Sequence, residues 1–189
     1  MPRLFIAIDL PSKLRERLRS LCVGVDQARW VNPQQLHVTL RFVGDTADEA
    51  MREVRRRLAR VRAPGFDLSL HGVGVFPEPR GRKRPRVLWL GIEPIDELFY
   101  LKQEIDRTIG IHDKATKQTF SPHLTLARLS EKPDKPNRSL ADFLANHRDF
   151  RSATWHVACF HLYQSTLHPS GAIHEPIERY GLAQPDVNG

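Results

Sequence analysis

Residues 36–43 read "LHVTLRFV" and residues 122–129 read "PHLTLARL". Each stretch sets a histidine and a threonine two residues apart in an apolar run, with leucine next. Side chains at i and i+2 of a strand share a face. His37 and Thr39 therefore project together, as do His123 and Thr125, while Val38, Leu40, Leu124 and Leu126 point into packing. Threonine is β-branched, which suits a strand and holds its hydroxyl in few rotamers. One His-x-Thr says little in a chain with nine histidines. Two copies, each inside a predicted strand, are hard to obtain by accident. The competing reading is two surface strands with incidental polar residues, or histidines satisfied in a core.

Working outward, residues 3–10 read as a buried strand stopped by Pro11. Helix spacing follows over 12–26, with Leu14, Leu18, Leu21, Cys22 and Val25 on one face and Ser12 as cap. Thr46 and Glu49 form a capping box ahead of a helix striped by Ala50, Val54, Leu58 and Val61. Residues 66–76 and 86–92 read as a long hairpin around the basic stretch "PEPRGRKRPRV" at 77–87. That stretch is either a solvated turn or an arm for phosphate backbones. Leu98, Leu101, Ile105 and Ile109 mark a third helix ended at Gly110. A fourth starts at Ser139. Residues 153–167 and 174–182 read as the last strands. Several strands are joined by hairpins rather than helices, which predicts an α+β fold with mostly antiparallel sheets. The repeat is too widely spaced for a solenoid and fits two similar lobes, each giving one strand. The expectation is one bilobal domain over 1–183 and a loose tail at 184–189.

The chain has 189 residues, 40% of them hydrophobic and 27% charged. That excludes a disordered chain and a membrane-spanning one. The early run "LFIAI" is too short for a signal-peptide core, so a cytoplasmic, membrane-free location is expected. Cys22 and Cys159 make no CxxC pair and no metal spacing, and read as buried free thiols. The net charge of +7 attracts polyanions without naming one.

Two His-Thr edges facing each other converge four polar groups. A neutral imidazole can deprotonate water and a protonated one can protonate a leaving alkoxide. Threonine hydroxyls can hold the non-bridging oxygens of a phosphate. No HxH or HExxH occurs, so neither metal nor other cofactor is expected.

The pair "HVTL" and "HLTL" resembles the hallmark of the two-histidine phosphoesterases. The chain looks most like RNA 2′,3′-cyclic phosphodiesterases, also called 2′-5′ RNA ligases (the LigT or ThpR family). "RLFIAIDLP", "WVNPQQLHVTLRFVGD", "GVGVFPEP" with "RPRVLWLGI", "FSPHLTLARL" and "HLYQSTLHPSG" extend the resemblance to about residue 182. It implies a pseudo-symmetric fold with two sheets flanking a central cleft, helices outside, and metal-free opening of an RNA cyclic phosphate to a 2′-phosphate. It further implies His37 as general acid, His123 as general base, and Thr39 and Thr125 as phosphate ligands. By the same resemblance Phe42 and Arg128 sandwich the terminal base. Simple alternation puts both on the face opposite their histidines, so the strands must bend or end there. The family often carries an aromatic residue after the glycine of the closing segment; here Ile173 and His174 stand there. Expected partners are RNA with cyclic phosphate ends, such as tRNA fragments, or small cyclic nucleotides, with the protein acting as a monomer. Two rival functions remain: joining cyclic-phosphate and 5′-hydroxyl ends into a 2′-5′ linkage, and binding RNA or nucleotides without catalysis.

Overall fold

The computed structural model describes residues 1–77, 84–93, 95–110, 120–130, 138–168 and 171–183. The tail at 184–189 and most of the basic stretch, 78–83, lie outside the described residues. In chain order the elements are β1 (Arg3–Asp9), α1 (Ser12–Leu21), β2 (Arg29–Trp30), β3 (His37–Asp45) and α2 (Asp48–Leu58). There follow β4 (Phe66–Leu68), β5 (Leu70–Phe76), β6 (Val87–Ile92), α3 (Asp96–Ile109) and β7 (His123–Arg128). The last are α4 (Arg138–His147), β8 (Trp155–Val157), β9 (Cys159–His168) and β10 (Gly171–Gly181).

The fold is α+β, as expected, and its ladders are antiparallel. Eight strands form one sheet in the order β10-β9-β1-β3-β7-β6-β5, with β2 beside β7; β4 and β8 form a second, two-stranded sheet. The two halves of the large sheet meet where β3 touches β7, at the single register pair Val38↔Leu124. Beyond it β2 takes over the β7 edge, pairing Trp30 with Ala127 and Arg29 with Arg128. The repeated stretches therefore lie side by side at the seam.

One face of the sheet is covered by helices. Ile6 and Ile8 of β1, Val38 and Leu40 of β3 and Leu124 and Leu126 of β7 pack there with Leu14, Leu18, Leu101 and Ile105. On the other face Phe5, Ala7 and Tyr163 form a small separate cluster. Burial on both faces explains why β1 is apolar without alternation. Helix α3 ends at Gly110, whose φ of 64° is the left-handed turn that glycine adopts without a Cβ penalty.

Several local expectations are corrected by tertiary contacts. Ser12 does not cap α1; Pro11 stands at the N-cap without a side-chain bond, and the helix stops at Leu21. The Thr46–Glu49 box does not form, because the Thr46 hydroxyl donates to the Gly44 carbonyl at 2.9 Å and Ala47 becomes the N-cap. Residues 66–76 are not one strand: β4 pairs with β8, and only β5 makes the hairpin with β6. Ala50 is exposed. Cys22 and Cys159 are free and half-buried rather than fully buried. No described helix is long and apolar enough to cross a membrane.

Candidate active site

The tension over Phe42 and Arg128 is resolved by two β-bulges. Along β1 and β3, Ala7 pairs with Thr39 but Ile6 pairs with Arg41, leaving Leu40 as an extra residue. Along β6 and β7, Trp89 pairs with Thr125 but Leu88 pairs with Ala127, leaving Leu126 as an extra residue. The bulge falls at the same place in both copies, just after the threonine. An extra residue reverses the alternation that follows. Leu40 and Arg41 are consecutively buried, as are Leu126 and Ala127. Phe42, 66% exposed, and Arg128, exposed, therefore return to the histidine face. Strict alternation past the threonines is overturned, as the sandwich of the base required. Arg41 is instead turned inward, where it pairs with Asp106 of α3 at 2.5 Å.

The four repeat residues converge. Val38 and Leu124 are opposite each other and fully buried, so His37, Thr39, His123 and Thr125 share the other face. Continuing the antiparallel register sets His37 opposite Thr125 and Thr39 opposite His123. In a regular antiparallel ladder that register makes the two histidines diagonal neighbours, with backbones roughly 7–8 Å apart.

Each imidazole is oriented in the same way. Nδ1–H of His37 donates to the Gln35 carbonyl at 2.7 Å, and Nδ1–H of His123 donates to the Ser121 carbonyl at 2.8 Å. A carbonyl can only accept, so Nδ1 carries the proton in both rings and Nε2 is left for chemistry. A phenylalanine supports each ring. Phe5 lies 4.9 Å from His37, and Phe76 meets His123 edge-on at 5.0 Å. Phe76 leans in turn on Trp89, at 5.1 Å. Trp89 lies directly over Gly74, where a Cβ would come within 2.2 Å of the indole, so only glycine fits there.

The wall beside His37 holds groups that sequence reasoning missed. Tyr163 stacks on Phe5 at 5.1 Å and its hydroxyl donates to Asp9. Arg15 reaches the same carboxylate at 3.2 Å, and His161 lies 3.5 Å from it. The available signal was Asp9 itself, a carboxylate closing an apolar strand. Among the described residues no cluster of three or more His, Cys, Asp or Glu side chains is placed to hold a metal ion.

Burial is the main cause of a strong shift at His37, whose pKa falls from 6.5 to about 4. Burial also lowers the pKa of His161 and of His174. An unfolded histidine binds a proton near 6.5 while half-buried His37 refuses it until about 4. The unfolded chain thus holds more protons in that window, and stability drops as pH falls through it. His37 alone contributes on the order of 3 kcal/mol across the window. The urea midpoint of His37→Gln should therefore fall less steeply between pH 6.5 and 4 than that of the parent protein. Parallel slopes would refute the burial effect.

A family model described as "2'-5' RNA ligase superfamily" matches residues 10–169. The chain belongs to that superfamily. Among curated relatives, the RNA 2′,3′-cyclic phosphodiesterase of Archaeoglobus fulgidus is 31% identical over 178 residues, covering 93% of this chain and 97% of the relative. The RNA 2′,3′-cyclic phosphodiesterase of Thermotoga maritima is 31% identical over 179 residues, covering 92% of this chain and 91% of the relative. Escherichia coli LigT complexed with 3′-AMP is a solved structural neighbour, with a TM-score of 0.73 and 30% identity over 97% of this chain and 99% of that one. Likeness to the superfamily thus extends across both copies of the repeat and both halves of the sheet.

Proposed function

We propose that this protein is an RNA 2′,3′-cyclic phosphodiesterase. It opens the cyclic phosphate to a 2′-phosphate by metal-free acid–base catalysis between two imidazoles. The observation that carries this reading is the matched pair of His-Thr edges across the β3–β7 seam, each imidazole with Nδ1 anchored and Nε2 without a hydrogen-bond partner among the described residues. Relatives named as RNA 2′,3′-cyclic phosphodiesterases, and the 3′-AMP held by E. coli LigT, support a ribonucleotide substrate.

In this mechanism Nε2 of His123 takes a proton from water as the water oxygen bonds to phosphorus. The bond from phosphorus to O3′ breaks, and Nε2–H of His37 protonates O3′, giving a 3′-hydroxyl and a 2′-phosphate. The hydroxyls of Thr39 and Thr125 donate to the non-bridging oxygens. Phe42 and Arg128 flank the terminal base, one by ring stacking and one by its guanidinium plane. His37 must be protonated to act as the acid, yet burial holds it neutral in the empty cleft. The negative charge of an arriving phosphate favours the imidazolium. That same burial favours a second reading with the roles exchanged, His37 as base and His123 as acid. We place the activity in the cytoplasm, where free thiols such as Cys22 and Cys159 persist.

A short oligonucleotide ending in a 2′,3′-cyclic phosphate tests the proposal. The expected product is a 2′-phosphate. An unchanged cyclic end under the same conditions would sink it, and joining to an added 5′-hydroxyl RNA would redirect it to ligation. Phe42→Ala should raise KM for the oligonucleotide about tenfold, the worth of one stacked base, with kcat nearly unchanged.

A further inference from the structure

His174 lies on β10, with β9 and β1 between it and β3. Its ring nevertheless stands perpendicular to that of His37 with centroids 5.3 Å apart. Neighbouring strands are spaced about 4.8 Å apart, so the sheet must curl for these rings to meet. Phe5 fills the inside of the curl, 4.9 Å from His37 and 5.0 Å from His174. The sequence marked this position as a departure, an imidazole where relatives often carry an aromatic ring.

Nδ1 of His174 is buried and has no hydrogen-bond partner among the described residues. An imidazolium needs acceptors for both of its N–H groups, so the site resists the cation at His174. The charged and titratable neighbours do not compensate. From β3 the ring faces His37. From β1 comes Asp9, whose carboxylate is engaged by the Tyr163 hydroxyl, by Arg15 of α1 and by His161 of β9. Ser165 of β9 is its register partner. On its own strand, Glu178 is drawn away to Arg55 and Arg179 sits opposite His161. His123 stands on β7, across the seam from β3.

We propose that His174 is a positioning residue for His37, the two rings forming a coupled pair that accepts one proton at a time when a phosphate anion fills the cleft. Two imidazolium rings in edge contact repel each other, so protonation of one opposes protonation of the other. A phosphate that attracts a proton to the pair thus finds it shared, with His37 the partner whose Nδ1–H has an acceptor. The inference rests on His37 being a proton-transfer group.

Histidine NMR titrations with saturating inorganic phosphate test the pairing. In the parent protein the His37 resonances should move in two steps separated by a pH unit or more. In His174→Phe, which keeps the ring packing, and in His174→Gln, which keeps polarity, His37 should titrate in a single step. A single step in the parent, or two unchanged steps in both variants, would overturn the coupling. Altered thermal stability with unchanged titration curves would overturn it as well, reducing His174 to packing. Turnover of a cyclic nucleotide by His37→Ala is measured separately. Its retention would defeat the catalytic reading and leave the titration result standing.

Discussion

Replacing either His37 or His123 by alanine is expected to cut turnover of a 2′,3′-cyclic nucleotide by about 10²-fold or more. Each change removes one proton-transfer step and leaves the threonine hydroxyls in place. The parent enzyme should show a bell-shaped pH–rate profile, since one imidazole works charged and the other neutral. Each single variant should lose one limb of that bell. Sulfur substitution at the bridging 3′ position then separates the roles. A thiolate leaves without being protonated, so His37→Ala should recover most of its rate on that substrate and His123→Ala should not. Recovery by His123→Ala alone would exchange the assignments. Full activity in both alanine variants on the natural substrate would remove the two-imidazole mechanism altogether.

The second large effect is expected far from the cleft. Asp106→Ala leaves the Arg41 guanidinium, 7% exposed, without the carboxylate it meets at 2.5 Å. Removing one partner of a buried ion pair costs about 3–5 kcal/mol. The loss here falls below that range, about 2 kcal/mol, because the Asp106 side chain is 30% exposed and shares its charge with Lys102, and Arg41 keeps a further polar contact. Chemical denaturation should report that loss. The double change Arg41→Met with Asp106→Leu should recover most of it, since a matched apolar pair leaves no buried charge behind. Equal destabilisation by the single and double changes would show that packing, not charge, holds the pair. Arg41 occupies the bulge that aims Phe42, so Asp106→Ala should also raise KM for oligonucleotides more than for mononucleotides.

The strands, the helical stripes and the four converging repeat residues were legible because each is a short-range pattern. The period-two placement of His37 with Thr39 needs only the local backbone, and Leu98, Leu101, Ile105 and Ile109 need only a helix. The bulges were not legible. Whether Leu40 and Leu126 are extra residues depends on the strands beside them, β1 and β6, and on the cavity that accepts Arg41. The same holds for the helix caps. Thr46 and Glu49 have the right spacing, but the Gly44 carbonyl is the better partner for the Thr46 hydroxyl once β3 is in place. Tyr163 and Asp9 come from opposite ends of the chain, and only the β1–β9 ladder brings them together.

The seam at Val38 and Leu124 has a geometric consequence. An antiparallel pair possesses a local dyad, and this one exchanges His37 with His123, Thr39 with Thr125 and Phe42 with Arg128. A pentacoordinate phosphorus placed on that axis has its entering and departing oxygens exchanged by the same rotation. The repeat is thus blind to the direction of the reaction. Handedness is imposed by the flanks, with Phe5, Tyr163 and His174 on one side and Phe76 and Trp89 on the other.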